Sequence, residues 1–434
     1  MRRNWQNMAL DFSSIRLPER AVDRRILPNG TVFLYTPNPY NQIVAVRILS
    51  RLASRHECAE KAGMANLCLR MLSAGTERHS EEEIADNLER NGAHFKAEAG
   101  KDWSAIDLLT TTHFLREDLE TVLELIDCPT FLEEKLVRER ETTRMNILEQ
   151  EDSRLSYTMR IFRQKFFGSH PYAWPNIGLV ETLDRIQRDD LVPFAHAAFD
   201  PSRLTAVAVG GPENGSVQTI IEECLASRDR RNSEAIPDPP PASPAISSDT
   251  EVTDHRQSEA EYVVLGYPGA GIAEPAAVPL CLIGALLGGS MDSRLFREIR
   301  EKRGLCYQVG SHYHPHCDLS PLMIYLVTSP ANREEAVACA EAEIRRVKEE
   351  PVTEEELERI KTYVCGTYIM SMETNMGQAS RYAIYEIAGL GWGYVNRFPD
   401  EVSRVTDSQI SDTARRYFTH RLLAITSPKE SEPD

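Results

Sequence analysis

The second half of this 434-residue sequence repeats the plan of the first half. In the first half, the pattern EEEIADNLERN predicts a helix that Gly92 ends, and strand patterns follow at AHFKAEA and WSAIDLL. In the second half, SRLFREIREKR predicts a helix that Gly304 ends, and LCYQVGSHY follows as a strand. The two glycines lie 212 residues apart, close to half of the chain length.

A second pair of landmarks gives nearly the same offset. The predicted helix DDLVPFAHAAF precedes the strand LTAVAV, and SQISDTARRYF precedes LLAIT, so that Phe199 and Phe418 lie 219 residues apart. An internal duplication is the simplest explanation of two matching offsets. Between the halves, the stretch RDRRNSEAIPDPPPASPAISSDT is rich in proline and poor in apolar residues, which is typical of a linker. We therefore divide the chain into a domain 1–227, a linker 228–250 and a domain 251–434.

Each half combines strands joined by short turns with long helices. One helix is predicted from about Leu132 to Glu149, and another from about Glu354 to Met372. The second begins with the capping box Thr353/Glu356, just as Ser80/Glu83 begins the helix before Gly92. This pattern predicts an α+β fold twice over, each with a mixed or antiparallel sheet and helices packed on one face.

Composition excludes several classes of protein. The chain carries 66 acidic and 49 basic residues, a net charge of −17, which makes nucleic acid an improbable partner. No apolar stretch approaches the roughly 20 residues of a spanning helix, and the first residues, MRRNWQNMALDFSS, lack the apolar core of a secretory signal. An organellar transit segment stays open as an alternative. Nine scattered cysteines without a C-x-x-C motif favour a reducing, cytoplasmic location.

Several segments, taken in order, resemble the M16 metallopeptidases, the family of insulin-degrading enzyme, pitrilysin and the mitochondrial processing peptidase. The resemblance extends from about Arg25 to Phe418 and is strongest in the second half of the chain. The segments that carry it are LPNGT (27–31), ASRHE (53–57), AGMANLCLRMLSAGT (62–76), FFGSHPYAWPNIG (166–178), VAVGG (207–211), LLGGSMDSRLFREIREKRGLCYQV (286–309) and PVTEEELERIK (351–361). The resemblance implies two homologous domains that together form half of a clamshell.

Active members of that family bind zinc through H-x-x-E-H on a helix and a further Glu on a later helix. Two His four residues apart project from one helix face, and the intervening Glu serves as base for the zinc-bound water. In the register set by the flanking residues, Asn66 stands at the first His, Leu69 at the base and Arg70 at the second His, while Asn146 stands at the distal Glu. We therefore expect no metal in this chain, because Leu69 cannot move a proton and Arg70 repels a cation.

Other histidines offer weaker alternatives for metal binding. His56-Glu57 begins an H-E-x-x-E segment that lacks the second His, and His79 lies beside the Ser80/Glu83 capping box. The alternating residues His312, His314 and His316, next to Cys317, would share one strand face, although Pro315 interrupts the strand. Whether this cluster from 312 to 317 binds an adventitious metal stays open.

The second half retains a different feature of the family. Arg300 and Tyr307 match an Arg and a Tyr at R-x6-Y spacing, which in the family face the zinc of the other half-site. A fixed cation and a phenol hydroxyl both point donors at developing negative charge, as an oxyanion requires. The resemblance implies that these two residues hold the substrate backbone and help to stabilise the tetrahedral intermediate. The alternative is a surface Arg beside a half-buried Tyr.

The combination resembles the inactive chain of bacterial M16 pairs, in which only the partner chain carries H-x-x-E-H. The chain is then expected to be inactive alone and to form part of a zinc metalloendopeptidase complex. It would bind no cofactor itself, pair with a homologous M16 subunit that holds the zinc, and enclose an extended or unfolded peptide. The alternative is a structural or peptide-binding M16 homologue, similar to the core subunits of respiratory complexes, with no proteolytic role.

Overall fold

The structure, a computed structural model, describes residues 21–231 and 236–429. The amino-terminal segment 1–20, which bears on targeting, and residues 232–235 of the predicted linker lie outside the described residues. Two sheets organise the rest, one for each half of the chain. Their strands are β1 (Asp23–Ile26), β2 (Val32–Thr36), β3 (Ile43–Ser50), β4 (His94–Ala99), β5 (Ser104–Thr111), β6 (Leu204–Gly210), β7 (Thr250–Arg256), β8 (Glu261–Tyr267), β9 (Cys306–Tyr313), β10 (Leu322–Thr328) and β11 (Leu422–Pro428).

The helices follow the sequence patterns closely. The predicted helix 132–149 is observed at Glu133–Asp152, and the predicted helix 354–372 at Glu354–Met370. The full set is α1 (Met64–Met71), α2 (Glu81–Arg90), α3 (Leu115–Asp127), α4 (Glu133–Asp152), α5 (Arg154–Phe167), α6 (Val180–Leu183), α7 (Arg188–Ala198), α8 (Ser216–Ala226), α9 (Ala277–Gly288), α10 (Arg333–Glu349), α11 (Glu354–Met370), α12 (Asn375–Ile387), α13 (Tyr394–Arg404) and α14 (Asp407–Tyr417).

Sheet topology confirms the duplication and the α+β class. The first sheet has the order β1-β2-β6-β3-β5-β4, and the second has the order β7-β11-β8-β10-β9. Without β1, the two orders correspond strand by strand, from β2 with β7 to β4 with β9. In both sheets the pair that begins this shared order is parallel, and every other pair is antiparallel. The landmark glycines also correspond, because Gly92 and Gly304 both end a helical segment with a left-handed backbone, at φ +69° and +63°.

The helical segment before Gly304 differs from the prediction. Residues Phe296–Glu301 form a short π-helix rather than a regular α-helix. The wider turn is visible in the bond from the Lys302 N–H to the Arg297 carbonyl, at 3.0 Å. A hydrophobic period close to 3.6 does not show one extra residue in a turn, so the π-helix could not be predicted from the pattern.

Each sheet buries one face against helices of its own half and the other face against a helix of the other half. Helix α5 of the first half packs on β11 and β8, and helix α12 of the second half packs on the corresponding strands β6 and β3. Phe162 and Phe166 of α5 are fully buried against the second sheet. The predicted packing of helices on one face holds for each half's own helices. Helices α5 and α12, the exchanged helices, cover the second face of the sheet in the other half.

One glycine allows this exchange at close range. A Cβ atom on Gly266 of β8 would lie 2.3 Å from the Phe162 ring, so only glycine lets α5 approach the sheet this closely. On the other side, polar bonds fix α12 to the first sheet, including the bond from Asn38 to Asn375, at 2.6 Å, and the bond from Asn375 to the Ile43 carbonyl, at 2.8 Å. The two halves therefore share their cores.

The predicted linker falls where regular structure is absent. Helix α8 ends at Ala226 and β7 begins at Thr250, and the described residues between them form neither helix nor strand. Its first residue is nevertheless anchored, because Arg228 is buried and pairs with Asp127 at 2.7 Å. Within the described ranges, no helix is long and apolar enough to cross a membrane.

We predict that cutting the chain within residues 239–244 leaves the two halves associated. The exchanged helices bury apolar surface across the boundary, so the cut removes a covalent tether and none of the packing. A protease site inserted there, followed by size-exclusion chromatography of the cut protein, tests this. Elution as two separate half-chains would contradict the prediction.

We also predict that two glycine substitutions differ in their effect on the free energy of unfolding. Gly266→Ala should lower the free energy of unfolding by about 1–3 kcal/mol, because the new methyl group displaces Phe162. Gly366→Ala is the matched control, since a Cβ there meets no atom within 4 Å on helix α11, and it should be neutral or slightly stabilising. Urea denaturation of both variants gives the comparison, and equal stability would contradict the close approach.

Candidate functional site

The degenerate zinc positions lie on two helices that pack together. Asn66, Leu69 and Arg70 lie on the short helix α1, and Asn146 lies on α4. The carboxylate of Glu57 holds the start of α1 by accepting the backbone N–H groups of Gly63 and Ala65, at 2.9 and 2.6 Å. The H-E-x-x-E segment thus has a structural role, because its Glu caps a helix.

The position of the general base is part of the core. Leu69 is 1% exposed and belongs to the apolar cluster of the first half. Its side chain therefore fills core volume rather than facing an open site. The residue cannot accept a proton, and a polar replacement there would have to be buried.

The second His position carries an ion pair. Arg70 donates from Nε to a Glu139 carboxylate oxygen at 3.1 Å, and its Nη2 atom lies 3.0 Å from the same oxygen. Glu139 lies on α4, seven residues or about two helical turns before Asn146, so both occupy the same side of that helix. The guanidinium thus supplies positive charge next to this carboxylate. Sequence reasoning missed Glu139, although its spacing from Asn146 was a usable signal.

The first His position holds an amide with an unused donor. The Nδ2 atom of Asn66 is buried and has no hydrogen-bond partner among the described residues. An Asn, a Leu, an Arg and a second Asn do not make a zinc ligand set, because zinc prefers Cys, His, Asp and Glu. Throughout residues 21–231 and 236–429, no group of three or more His, Cys, Asp or Glu side chains is placed to hold a metal ion.

The histidines outside this motif have other partners. His56 pairs with Asp238 at 3.0 Å, and His79 with Glu124 at 2.9 Å. His312 and His314 stack with ring centroids 6.2 Å apart, whereas His316 bonds to Asp102 at 3.2 Å. The predicted strand ends at Tyr313, so the three alternating histidines do not all share a strand face.

Asp102 is the centre of a polar junction between the halves. Its buried carboxylate contacts Arg55 and Tyr172 of the first half and His316 of the second. Burial alone would raise the pKa of Asp102, but the hydrogen bond and charge of His316, with Tyr172 and Arg55, hold it below its ordinary value. The carboxylate therefore stays ionised, and Arg55 extends the junction to Asp318 at 3.1 Å.

Arg300 and Tyr307 lie at the end of the second sheet, around the start of β9. Arg300 lies at the end of the π-helix, exposed, with its guanidinium 5.1 Å from the Phe296 ring centroid. Tyr307 is 64% exposed, on the edge strand of its sheet. Burial raises the pKa of the intervening Cys306 thiol to about 11, although the positive charge of Arg300 acts in the opposite direction.

Within the part of the chain that the structure describes, neither side chain is engaged by a hydrogen-bond or ion-pair partner. Among the described residues, Arg300 and Tyr307 make no side-chain hydrogen bond or ion pair, and neither is joined in this way to helix α1. The structure thus brings Asn66 and Arg70 onto one face of α1, beside α4, and places Arg300 and Tyr307 separately. The roles assigned to Asn66, Arg70, Arg300 and Tyr307 stay predictions.

We predict that the purified, untagged chain contains no stoichiometric zinc, and that the triple variant Asn66→His, Arg70→His and Asn146→Glu gains one zinc per chain. The substitutions recreate two His and one Glu on packed helices, which is a zinc ligand set. Elemental analysis of both proteins is the measurement. One zinc per wild-type chain, lost on Asn66→Ala or Asn146→Ala, would contradict the prediction, as would a folded triple variant without zinc.

Comparison with known proteins agrees with the fold and with the order of the motifs. The model for the family described as "Insulinase (Peptidase family M16)" matches residues 32–170, and the model described as "Peptidase M16 inactive domain" matches residues 185–364. The chain is 25% identical to the uncharacterized zinc protease YmxG of Bacillus subtilis, over 95% of this chain and 100% of that protein. It is 24% identical to an uncharacterized zinc protease of Rickettsia bellii, over 91% of this chain and 94% of that protein.

Solved structures show the same architecture along nearly the whole chain. A protease from Helicobacter pylori superposes with a TM-score of 0.86 at 21% identity, over 94% of this chain and 100% of that one. A peptidase M16 inactive domain protein from Pseudomonas fluorescens also superposes with a TM-score of 0.86 at 21% identity, over 95% and 100%. With both family models matched in order and the duplicated fold shared, the chain belongs to the M16 peptidase family.

Proposed function

We propose that this chain is the non-catalytic subunit of a heterodimeric M16-type zinc peptidase, and that Arg300 and Tyr307 act at the zinc centre of an H-x-x-E-H-bearing partner. The observation that carries the proposal is the contrast between its two sites. At the zinc positions, Leu69 is buried in the core and Arg70 is paired with Glu139. At the other site, Arg300 and Tyr307 are exposed, and both keep their donors free for a ligand.

The chemistry of this chain is limited to binding and to stabilising charge. The partner's zinc would supply the Lewis acid and the activated water. Arg300 orients the carbonyl of the scissile peptide bond, since a guanidinium presents a planar set of donors. Tyr307 donates its hydroxyl proton in a hydrogen bond to the oxyanion that develops on that carbonyl.

The position of Tyr307 suits an extended substrate. It lies on β9, which is the last strand of its sheet and has a partner strand on one side only. A free sheet edge can accept an extended peptide through backbone hydrogen bonds. A phenol hydroxyl without a protein partner loses no internal bond when it turns to that peptide.

We predict that the chain is inactive alone, that peptide cleavage appears on mixing with the zinc-bearing partner, and that Tyr307→Phe lowers kcat of the mixture about 10²–10³-fold. Loss of one oxyanion donor has a cost of this size. Because the side chain is 64% exposed, the melting temperature and the affinity for the partner should barely change. The control is Tyr40→Phe, at a tyrosine that is 87% exposed, which should keep full activity.

We predict that Arg300→Lys also lowers kcat/KM of the mixture, by about tenfold or more, because an ammonium group cannot reproduce a planar fork of donors. The control on the same turn is Arg303→Lys, since Arg303 is occupied by Glu335 at 3.4 Å. Steady-state kinetics with saturating partner give both values. Full activity of both Tyr307→Phe and Arg300→Lys would reject the catalytic role and favour the structural alternative.

A further inference from the structure

Arg163 on helix α5 has no ion-pair partner among the described residues. It lies on the exchanged helix, one residue after the buried Phe162, and its side chain is half-buried. Desolvation lowers its pKa below the ordinary value, and no neighbouring carboxylate acts in the opposite direction. Among the described residues, no acceptor lies within hydrogen-bonding distance of its guanidinium.

The groups that Arg163 does face are mainly positive or neutral. Its charge acts on Lys101 of the first half and on His312 and His314 of the second half. The pKa values of both histidines are lowered, first by desolvation and then by surrounding groups that include Arg163. In a chain with a net charge of −17, such a local excess of positive charge is unusual.

Nearby carboxylates are already occupied by other groups. Glu57 accepts two backbone N–H groups of α1, and Asp102 is held by Arg55, Tyr172 and His316. Glu151, which lines one cavity together with Arg163, pairs with Arg160 at 3.0 Å. Each of these carboxylates has its own partners, which leaves the charge of Arg163 without compensation among the described residues.

A cavity of about 220 Å³ opens beside this guanidinium. Arg163 and Arg160 contribute to one wall, and the loop with Pro175, Ile177 and Gly178 forms another. Ile147, next to the degenerate zinc position Asn146, completes the lining on the side of α4. The cavity therefore lies beside the last turns of α4, the helix that carries Asn146, and its size suits a small charged group with a short apolar attachment.

We propose that Arg163 forms an oxyanion-binding site, and that its ligand is the carboxylate of a bound peptide. A half-buried guanidinium at the wall of a cavity is stabilised by a carboxylate through charge-assisted, often bidentate hydrogen bonds. The oxyanion site rests on the geometry of this chain alone, whereas the peptide as the source of the carboxylate rests on the proposed function.

The first experiment uses inorganic phosphate as the probe of the oxyanion site. Phosphate should raise the melting temperature of the wild-type chain more than sodium chloride of equal ionic strength does, and it should not do so for Arg163→Met. The control Lys165→Met removes an exposed charge from the same helix and should respond as wild type does. In phosphate-free buffer, Arg163→Met should melt no lower than wild type, because an apolar side chain replaces a half-buried cation that has no ion-pair partner among the described residues. A loss of several degrees, or a phosphate response that survives the substitution, would overturn the site.

The second experiment identifies the source of the carboxylate. A short N-acetylated peptide without acidic side chains is titrated calorimetrically into the isolated chain, as the free acid and as the C-terminal amide. The free acid should bind about tenfold tighter or more, and Arg163→Met should abolish the difference while Lys165→Met keeps it. A third peptide is a C-terminal amide that contains one Asp residue. Tight binding of this peptide would assign the site to an acidic side chain of the peptide rather than to its C-terminus.

If phosphate binds but the free acid, the amide and the Asp-containing peptide all bind with equal affinity, the assignment to a peptide carboxylate is wrong. No partner subunit and no zinc are needed in either assay. A negative result here is therefore distinguishable from a failure of the mixed-subunit activity assay that tests Arg300 and Tyr307.

Discussion

The exchange of one helix between the two halves is the constraint on which the rest of the structure depends. Each sheet has two apolar faces, and the helices of its own half cover only one of them. Helices α5 and α12 cover the second faces and bury aromatic side chains such as Phe162 and Tyr382 there. Because α5 directly follows α4 and contacts it, the exchange also anchors the end of the helix that carries Asn146 and Glu139.

Two of the positions that the resemblance aligns with the zinc motif are occupied by a core side chain and by an ion pair. A catalytic site of this family requires open space and ligands around the metal, whereas this chain has Leu69 in the core and an Arg70–Glu139 ion pair. The guanidinium provides a positive charge where the family places a cation, so the carboxylate on α4 is not left unpaired.

Much of the fold could be predicted from the sequence, because its signals are local or repeated. The Ser80/Glu83 capping box, the glycine at position 92 and the paired offsets all predicted elements that the structure contains. The exchange of helices could not be predicted, since an amphipathic pattern shows that a helix has a buried face but not which sheet covers it. The π-helix before Gly304 was missed because a hydrophobic period near 3.6 does not show one extra residue in a turn. The Arg70–Glu139 pair was missed although the spacing of Glu139 from Asn146 was a usable signal. Arg163 gave no sequence signal, since the lack of a partner is visible only in three dimensions.

The measurement that tests the central claim most directly is the distance of Tyr307 from the partner's metal. Cobalt(II) would replace zinc in an H-x-x-E-H-bearing subunit that co-purifies with this chain, and a fluorinated tyrosine would replace Tyr307. The account predicts strong paramagnetic shift or broadening of the fluorine resonance in the assembled complex, relative to the zinc form, and none for the same label at Tyr40. A Tyr307 resonance that is the same in the cobalt and zinc complexes would contradict the claim that this residue faces the active site of the partner.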